Sequence, residues 1–215
     1  ELAEMEGITV DCVVVKDDVA VPDSTYSAGR RGIAGTVLIH KIAGARAAKG
    51  ASLKEVKETA QKAIDRIRTM GMSMTACTLP GLEKPGFTLG EEEIEIGMGI
   101  HGEPGIEKTG MKTSKELAEI LLGKILADYD YNGSEAAMLV NGLGGTPLME
   151  LYVLAGDAAK VLKEKGITLS RVYVGNYMTS LDMAGCSISL LKLDEELKAL
   201  LTQVARSPFY TNYNK

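Results

Sequence analysis

Among the side chains able to do covalent or acid–base chemistry, His101 is the most suggestive. Only two histidines occur in 215 residues. His101 stands in Glu95 to Gly105, which reads E-I-G-M-G-I-H-G-E-P-G. Gly97, Gly99, Gly102 and Gly105 remove side-chain bulk around the imidazole and permit backbone conformations closed to other residues. A strand rarely carries glycine at this density unless something must approach the backbone closely. The expectation is an imidazole that meets a small ligand.

The other chemistry-bearing residues have structural readings beside their functional ones. Arg30-Arg31 could hold a phosphate or a partner carboxylate, or form a surface ion pair near a helix start. His40 falls on or beside an apolar helical stripe, the setting of a packing histidine. Glu91-Glu92-Glu93 is contiguous, so its side chains diverge, and a solvated strand entrance is expected in place of a metal site. Asp128 to Gly133 mimics the opening of a calcium loop, but Leu139 occupies the twelfth position, where a bidentate Glu is required. Asn141-Gly-Leu-Gly-Gly-Thr-Pro147 lies between a strand and a helix. It suits an anion cradle at a helix start or tight packing equally well. It has neither the Gly-Lys-Ser/Thr of a Walker loop nor a GxGxxG pattern. Asp182 could act as a general base or cap a turn. Cys12, Cys77 and Cys186 are odd in number and far apart. They read as buried thiols, and without paired spacing no zinc site is expected.

The elements that must position these residues follow from periodicity. Hydrophobic content is 45% and charged content 25%, which predicts an ordinary globular core. The net charge of −5 argues against a nucleic-acid footprint. No apolar run reaches membrane-spanning length. Strands are expected at Ile8–Val15, Ser73–Thr78, Ile94–Ile100, Ala136–Val140, Leu169–Val174 and Ser187–Lys192. Asp17 to Gly32, with Pro22, Asp23, Ser24 and Ser27, reads as a long irregular loop, and Lys84-Pro85-Gly86 marks another.

A helix is expected over Ile33–Ala48, with Ile33, Val37, His40, Gly44 and Ala47 along one face. A second starts at a Ser52/Glu55 capping box and runs through Ile67 and Met70 to a stop at Gly71. Thr113/Glu116 forms another capping box, with Leu117, Ile120, Leu121, Ile125 and Tyr129 inward. Thr146 would cap a helix with Pro147 at its first position, ending at Lys165. Asp194 would cap a last helix through Leu201 and Val204. The predicted class is α/β: a layered domain with a mixed, about six-stranded sheet covered by helices, one domain over residues 1–215.

The run GIHGEPGI from Gly99 to Ile106 resembles the histidine motif of the dihydroxyacetone kinase substrate-binding subunit, the DhaK type. The likeness extends through D-D-V-A-V at Asp17, G-R-R-G at Gly29, A-G-T-V-L-I-H-K at Ala34 and A-C-T-L-P at Ala76. It continues with K-P-G-F-T-L at Lys84, N-G-L-G-G-T-P-L-M-E-L at Asn141 and T-S-L-D-M-A-G-C-S-I-S-L-L-K at Thr179. The resemblance implies that His101 is catalytic: its imidazole adds to the carbonyl of dihydroxyacetone and holds it as a covalent hemiaminal for phosphorylation. Gly99 and Gly102 are then expected at the substrate, with Glu103 as a conceivable orienting group.

The family places a second, general-base histidine in a preceding domain whose motifs are not found here. The chain therefore resembles the second domain of the subunit, its first 20 or so residues belonging with the first domain. By itself it is expected to be inactive. With no ATP-binding domain expected after Lys215, the resemblance points to the phosphotransferase-system type. ATP or ADP with Mg would sit on a separate nucleotide-carrying subunit, with no cofactor or metal bound directly here. A cytoplasmic homodimer touching neither membrane nor nucleic acid is implied. The alternative from the same resemblance is a non-enzymatic dihydroxyacetone sensor acting as a transcriptional co-regulator.

Overall fold

The computed structural model describes residues 1–21, 29–78, 80–81, 87–208 and 210–213. The expected loop residues Pro22, Asp23, Ser24 and Ser27, and Lys84-Pro85-Gly86, lie outside these. In chain order the elements are α1 (Leu2–Met5), α2 (Thr36–Ala48), α3 (Leu53–Asp65), β1 (Ile67–Ser73), β2 (Glu93–Ile96) and β3 (Glu107–Gly110). There follow α4 (Ser114–Asp128), β4 (Glu135–Gly142), α5 (Leu148–Glu164), β5 (Thr168–Gly175), β6 (Gly185–Lys192), α6 (Glu195–Leu201), β7 (Ala205–Arg206) and β8 (Thr211–Asn212).

Six strands form one mixed sheet in the order β3-β2-β1-β6-β4-β5. Only β4 and β5 run parallel, joined by α5 as the crossover; the other pairs are antiparallel. Alternation along the central strands sends Met70, Met72, Met138, Val140, Ile188 and Leu190 to one side, where α4 and α5 cover them. Ile67, Ala137, Leu139 and Leu191 face the other side, under α2, α3 and α6. The result is a three-layer α/β arrangement, as the sequence predicts. β7 and β8 form a separate small hairpin.

Both capping boxes and the Asp194 cap are realised. Ser52 accepts from the Glu55 N–H while Glu55 accepts from the Ser52 N–H, and Thr113 and Glu116 repeat the exchange. Asp194 accepts from the Leu197 N–H at 2.9 Å and caps α6, which ends at Leu201 rather than Val204.

Several boundaries differ from the sequence expectation. Ile8–Val15 is not a strand and joins no ladder. Its β-branched residues favour extended backbone, but a strand also needs a neighbour to pair with. Val13 and Val15 lean on the α2/α3 cluster, whereas Ile8, Val10 and Val14 are exposed. The α3 helix stops at Asp65, and Ile67 and Met70 belong to β1, so Gly71 lies within a strand. Their spacing continues the helical stripe by coincidence; pairing of Ile67–Ser73 with Leu191–Gly185 decides the matter. The strand expected at Ser73–Thr78 therefore lies earlier, and that expected at Ile94–Ile100 ends at Ile96. β3 was not expected at all, because E-K-T-G carries no apolar alternation.

Helix α2 starts at Thr36 and buries Leu38, Ile39, Ile42 and Ala45, not the face containing His40. It is apolar nearly all round, so periodicity cannot choose its buried side. His40 is exposed. Pro147, not Thr146, occupies the N-cap of α5, since the Thr146 hydroxyl exchanges two 2.8 Å hydrogen bonds with the Gly185 backbone. Of the three thiols only Cys186 is buried; Cys12 is exposed and Cys77 half-buried.

Because each capping box supplies partners for helix N–H groups that have none within the helix, its loss has a measurable cost. Thr113→Ala is expected to destabilise the fold by about 1 kcal/mol. Urea unfolding should show a lowered midpoint with an unchanged slope.

Candidate functional site

His101 sits in the connection from β2 to β3. Gly97 opens this loop by donating to the Gly71 carbonyl at 2.7 Å, and the Ile106 N–H closes it on the Ile96 carbonyl at 2.8 Å. Within it, the Gly99 N–H donates to the Glu103 carbonyl at 3.1 Å and the Gly102 N–H to the Gly99 carbonyl at 3.2 Å. The loop rests on an apolar base: Met98, Leu143 and Met183 are buried together, with Cys77, Phe87 and Ile100 packed against them. The turns after β1, β4 and β5 thus meet under the His101 loop.

The histidine side chain is 80% exposed and Glu103 only 19%. One Glu103 oxygen lies 3.2 Å from His101 Nδ1, and the other accepts from the His101 backbone N–H at 3.0 Å. Partial burial works against the Glu103 charge. Hydrogen bonds from its own backbone, from the His101 N–H and from the imidazole outweigh it and hold the carboxyl below its ordinary range. The carboxylate therefore fixes the ring and favours the proton on Nδ1, leaving Nε2 with its lone pair.

Gly99 is required by close approach. A Cβ there would overlap the Glu103 carboxylate and come within 2.9 Å of the Arg31 guanidinium. Gly102 has φ of +81°, the left-handed region that glycine enters without strain. Both glycines expected at the substrate thus build the histidine loop itself.

Arg31 holds the loop's root. It is 7% exposed, donates through Nε to Asp18 Oδ2 at 2.7 Å and through Nη2 to the Gly97 carbonyl at 2.8 Å. Burial pushes the Asp18 carboxyl up to about 6, against the downward pull of the Ala20 N–H and of Arg31. Asp17 is fully buried and accepts from the Ile33 and Gly35 N–H groups at 2.7 and 2.8 Å. Glu95 accepts from the Gly105 N–H at 2.7 Å. Sequence reasoning left Arg31 open between holding a phosphate or partner carboxylate and a surface ion pair, whereas its pair with Asp18 is buried; Asp17, Asp18 and Glu95 had no role. The adjacent acidic and basic pairs, Asp17-Asp18 and Arg30-Arg31, were the available signal.

The remaining candidates are structural. Arg30 and Arg68 both bond Asp128, the first residue of the calcium-like stretch. Glu91, Glu92 and Glu93 are exposed. Asp182 accepts from the Thr78 N–H at 3.3 Å, a turn contact. In the glycine loop after β4, a Cβ at Gly144 would strike the Leu181 carbonyl and one at Gly145 would lie 3.0 Å from the Ala184 nitrogen. Asn141 accepts from the Tyr177 and Met178 N–H groups and donates to the Met178 carbonyl. That loop is used for tight packing against residues 177–185.

The chain matches the Dak1 domain family over residues 1–209. It is 50% identical over 197 residues to the dihydroxyacetone-binding subunit DhaK of the PTS-dependent dihydroxyacetone kinase of Lactococcus lactis, covering 91% of this chain and 59% of that protein. The dihydroxyacetone kinase from C. freundii in complex with AMP-PNP and Mg2+ superposes with a TM-score of 0.88 at 30% identity, over 98% of this chain and 38% of that one. The dihydroxyacetone kinase operon co-activator Dha-DhaQ superposes with a TM-score of 0.87 at 36% identity, over 94% and 63%. The chain spans about three fifths of the length of the curated relatives it matches first.

Removing Arg31 alone would strand Asp18 in the interior without its cation. Arg31→Met is expected to cost about 3–5 kcal/mol. Asp18→Leu combined with Arg31→Met should recover most of that loss, because the pair is removed together. Chemical denaturation of the three variants measures both values.

Proposed function

The chain belongs to the Dak1 domain family, and on that premise we propose that it holds dihydroxyacetone for a dihydroxyacetone kinase. His101 binds the ketone covalently while a separate nucleotide-carrying subunit delivers the phosphoryl group. The observation that carries this reading is the exposed imidazole whose Nδ1 is held by Glu103.

The chemistry follows from that contact. The Nε2 lone pair adds to the carbonyl carbon, forming an N–C bond as the C=O π pair moves to oxygen. Glu103 takes the Nδ1 proton and releases it to solvent water, which returns one proton to the new alkoxide, so a neutral hemiaminal results, Glu103 is again a carboxylate and no atom is lost. Glycerol offers hydroxyls and no carbonyl, so it cannot be captured this way. The anchored ketone presents a terminal hydroxyl for in-line attack, a reaction governed by positioning and charge stabilisation.

His40, the other histidine, lines a separate cavity between α2 and the β7–β8 hairpin. On this reading the general base comes from elsewhere in the assembly, and the 215 residues bind the ketone without phosphorylating it. The nucleotide and its Mg are assigned to the partner subunit, in keeping with a glycine loop filled by its own neighbours. A cytoplasmic homodimer belongs to the same proposal. The sensor reading draws support from the likeness to the co-activator, but the 50% identity to a kinase subunit favours the kinase.

Carbon NMR with dihydroxyacetone labelled at its carbonyl tests the adduct. The ketone signal should move to the tetrahedral range with the wild-type chain and stay unmoved with His101→Asn. Glu103→Gln should lower adduct occupancy roughly ten-fold, the loss of one charge-assisted hydrogen bond. A wild-type spectrum matching that of His101→Asn sinks the covalent reading. Phosphoryl transfer by the full-length protein with its nucleotide-carrying subunit separates kinase from sensor.

A further inference from the structure

A cavity of about 430 Å³ lies between α2 and the C-terminal hairpin, on different elements from the His101 loop. Val37, Gly44 and Ala48 form its α2 wall, and Val204 and Ala205 face them. Three basic side chains also line it: His40, Lys41 and Arg206. Among the described residues no Asp or Glu lines it.

Lys41 is the informative member. It is only 8% exposed, and its ammonium donates to the Leu200 carbonyl at 2.8 Å. That carbonyl belongs to the last turn of α6, where the helix dipole favours a cation. An ammonium has three protons, and one carbonyl uses one. Among the described residues neither Lys41 nor Arg206 forms an ion pair. Burial alone holds the Lys41 amine below its ordinary range, with no carboxylate opposing the shift. A buried cation without a counter-ion is costly unless something supplies the opposite charge.

The hairpin that brings Arg206 to the cavity is held in place. Tyr210 packs its ring 6.0 Å from those of Tyr173 and Tyr177, and Asn212 donates to the Leu201 and Gln203 carbonyls at 3.0 and 2.8 Å. Arg206 lies over the Tyr213 ring, 6.0 Å from its centroid. A cavity with a positive floor, a positive rim and small apolar walls suits a compact organic anion.

We propose that this cavity binds a small phosphate monoester, its phosphate between Lys41 and Arg206 and its carbon chain against Gly44 and Ala48. The phosphate supplies the two negative charges that these cations lack, and Arg206 offers the planar donor fork that phosphate oxygens accept. The site is independent of the ketone chemistry at His101.

The test is an NMR titration of the isotopically labelled chain with glycerol 3-phosphate, inorganic phosphate and uncharged glycerol at constant ionic strength. Saturable shifts at α2 and the β7–β8 hairpin are expected with both phosphates, tighter with the ester, and none with glycerol. Lys41→Met and Arg206→Gln should each weaken binding by roughly ten-fold or more. Arg206→Gln changes a solvent-facing residue, so the test does not depend on Lys41→Met folding. His101→Ala should bind as the wild type does. Absence of saturable shifts overturns the proposal, as does equal binding by Arg206→Gln. Loss of binding in His101→Ala would place the phosphate at the ketone site and overturn it too.

Discussion

The Arg31 guanidinium, buried between Asp18 and the Gly97 carbonyl, joins the segment entering the fold to the root of the histidine loop. A buried ion pair is weak evidence for net stability, because both charges lose their water. Its value here is geometric. Asp18 bridges β1 at Thr69, and Gly97 bonds β1 at Gly71, so Arg31 spans two attachments to one central strand. The β2–β3 connection leaves the sheet from a fixed point, and Met98 can then settle on Leu143 and Met183. His101 owes its position to that base, although its own ring is largely in solvent.

Glycine serves two different ends in the loops that meet there. At Gly99 the absent side chain lets Glu103 fold back on the imidazole, which sets the ring's proton and orientation. At Gly144 the absent side chain lets one loop backbone approach another. The first use is chemical and the second architectural, and the glycine-rich patterns look alike on paper. Only the identity of the atom occupying the space separates them.

The cavity at Lys41 reveals a similar division of labour on α2. Its buried face, Leu38, Ile39, Ile42 and Ala45, packs on the sheet. Its Val37, His40, Gly44 and Ala48 edge turns away and, with the C-terminal hairpin, walls off a basic hollow. One helix thus stabilises the domain on one side and shapes a cavity on another.

By itself the sequence determined the α/β class, the mixed sheet, both capping boxes, the histidine motif and its family. These rest on local chemistry: a hydroxyl three residues before a carboxylate, alternation within a strand, a fixed order of motifs. What it could not decide depended on partners distant in the chain. Ile67 and Met70 fit a helical stripe until β6 paired with them, and Ile8–Val15 has strand composition without a ladder. The buried face of α2 was undetermined because nearly every face is apolar. Arg31 meets Asp18 across thirteen residues and the Gly97 carbonyl across sixty-six. Lys41 meets Leu200 across 159 residues. Such contacts carry no periodicity, so only the folded arrangement turns surface-looking charges into the support of a site.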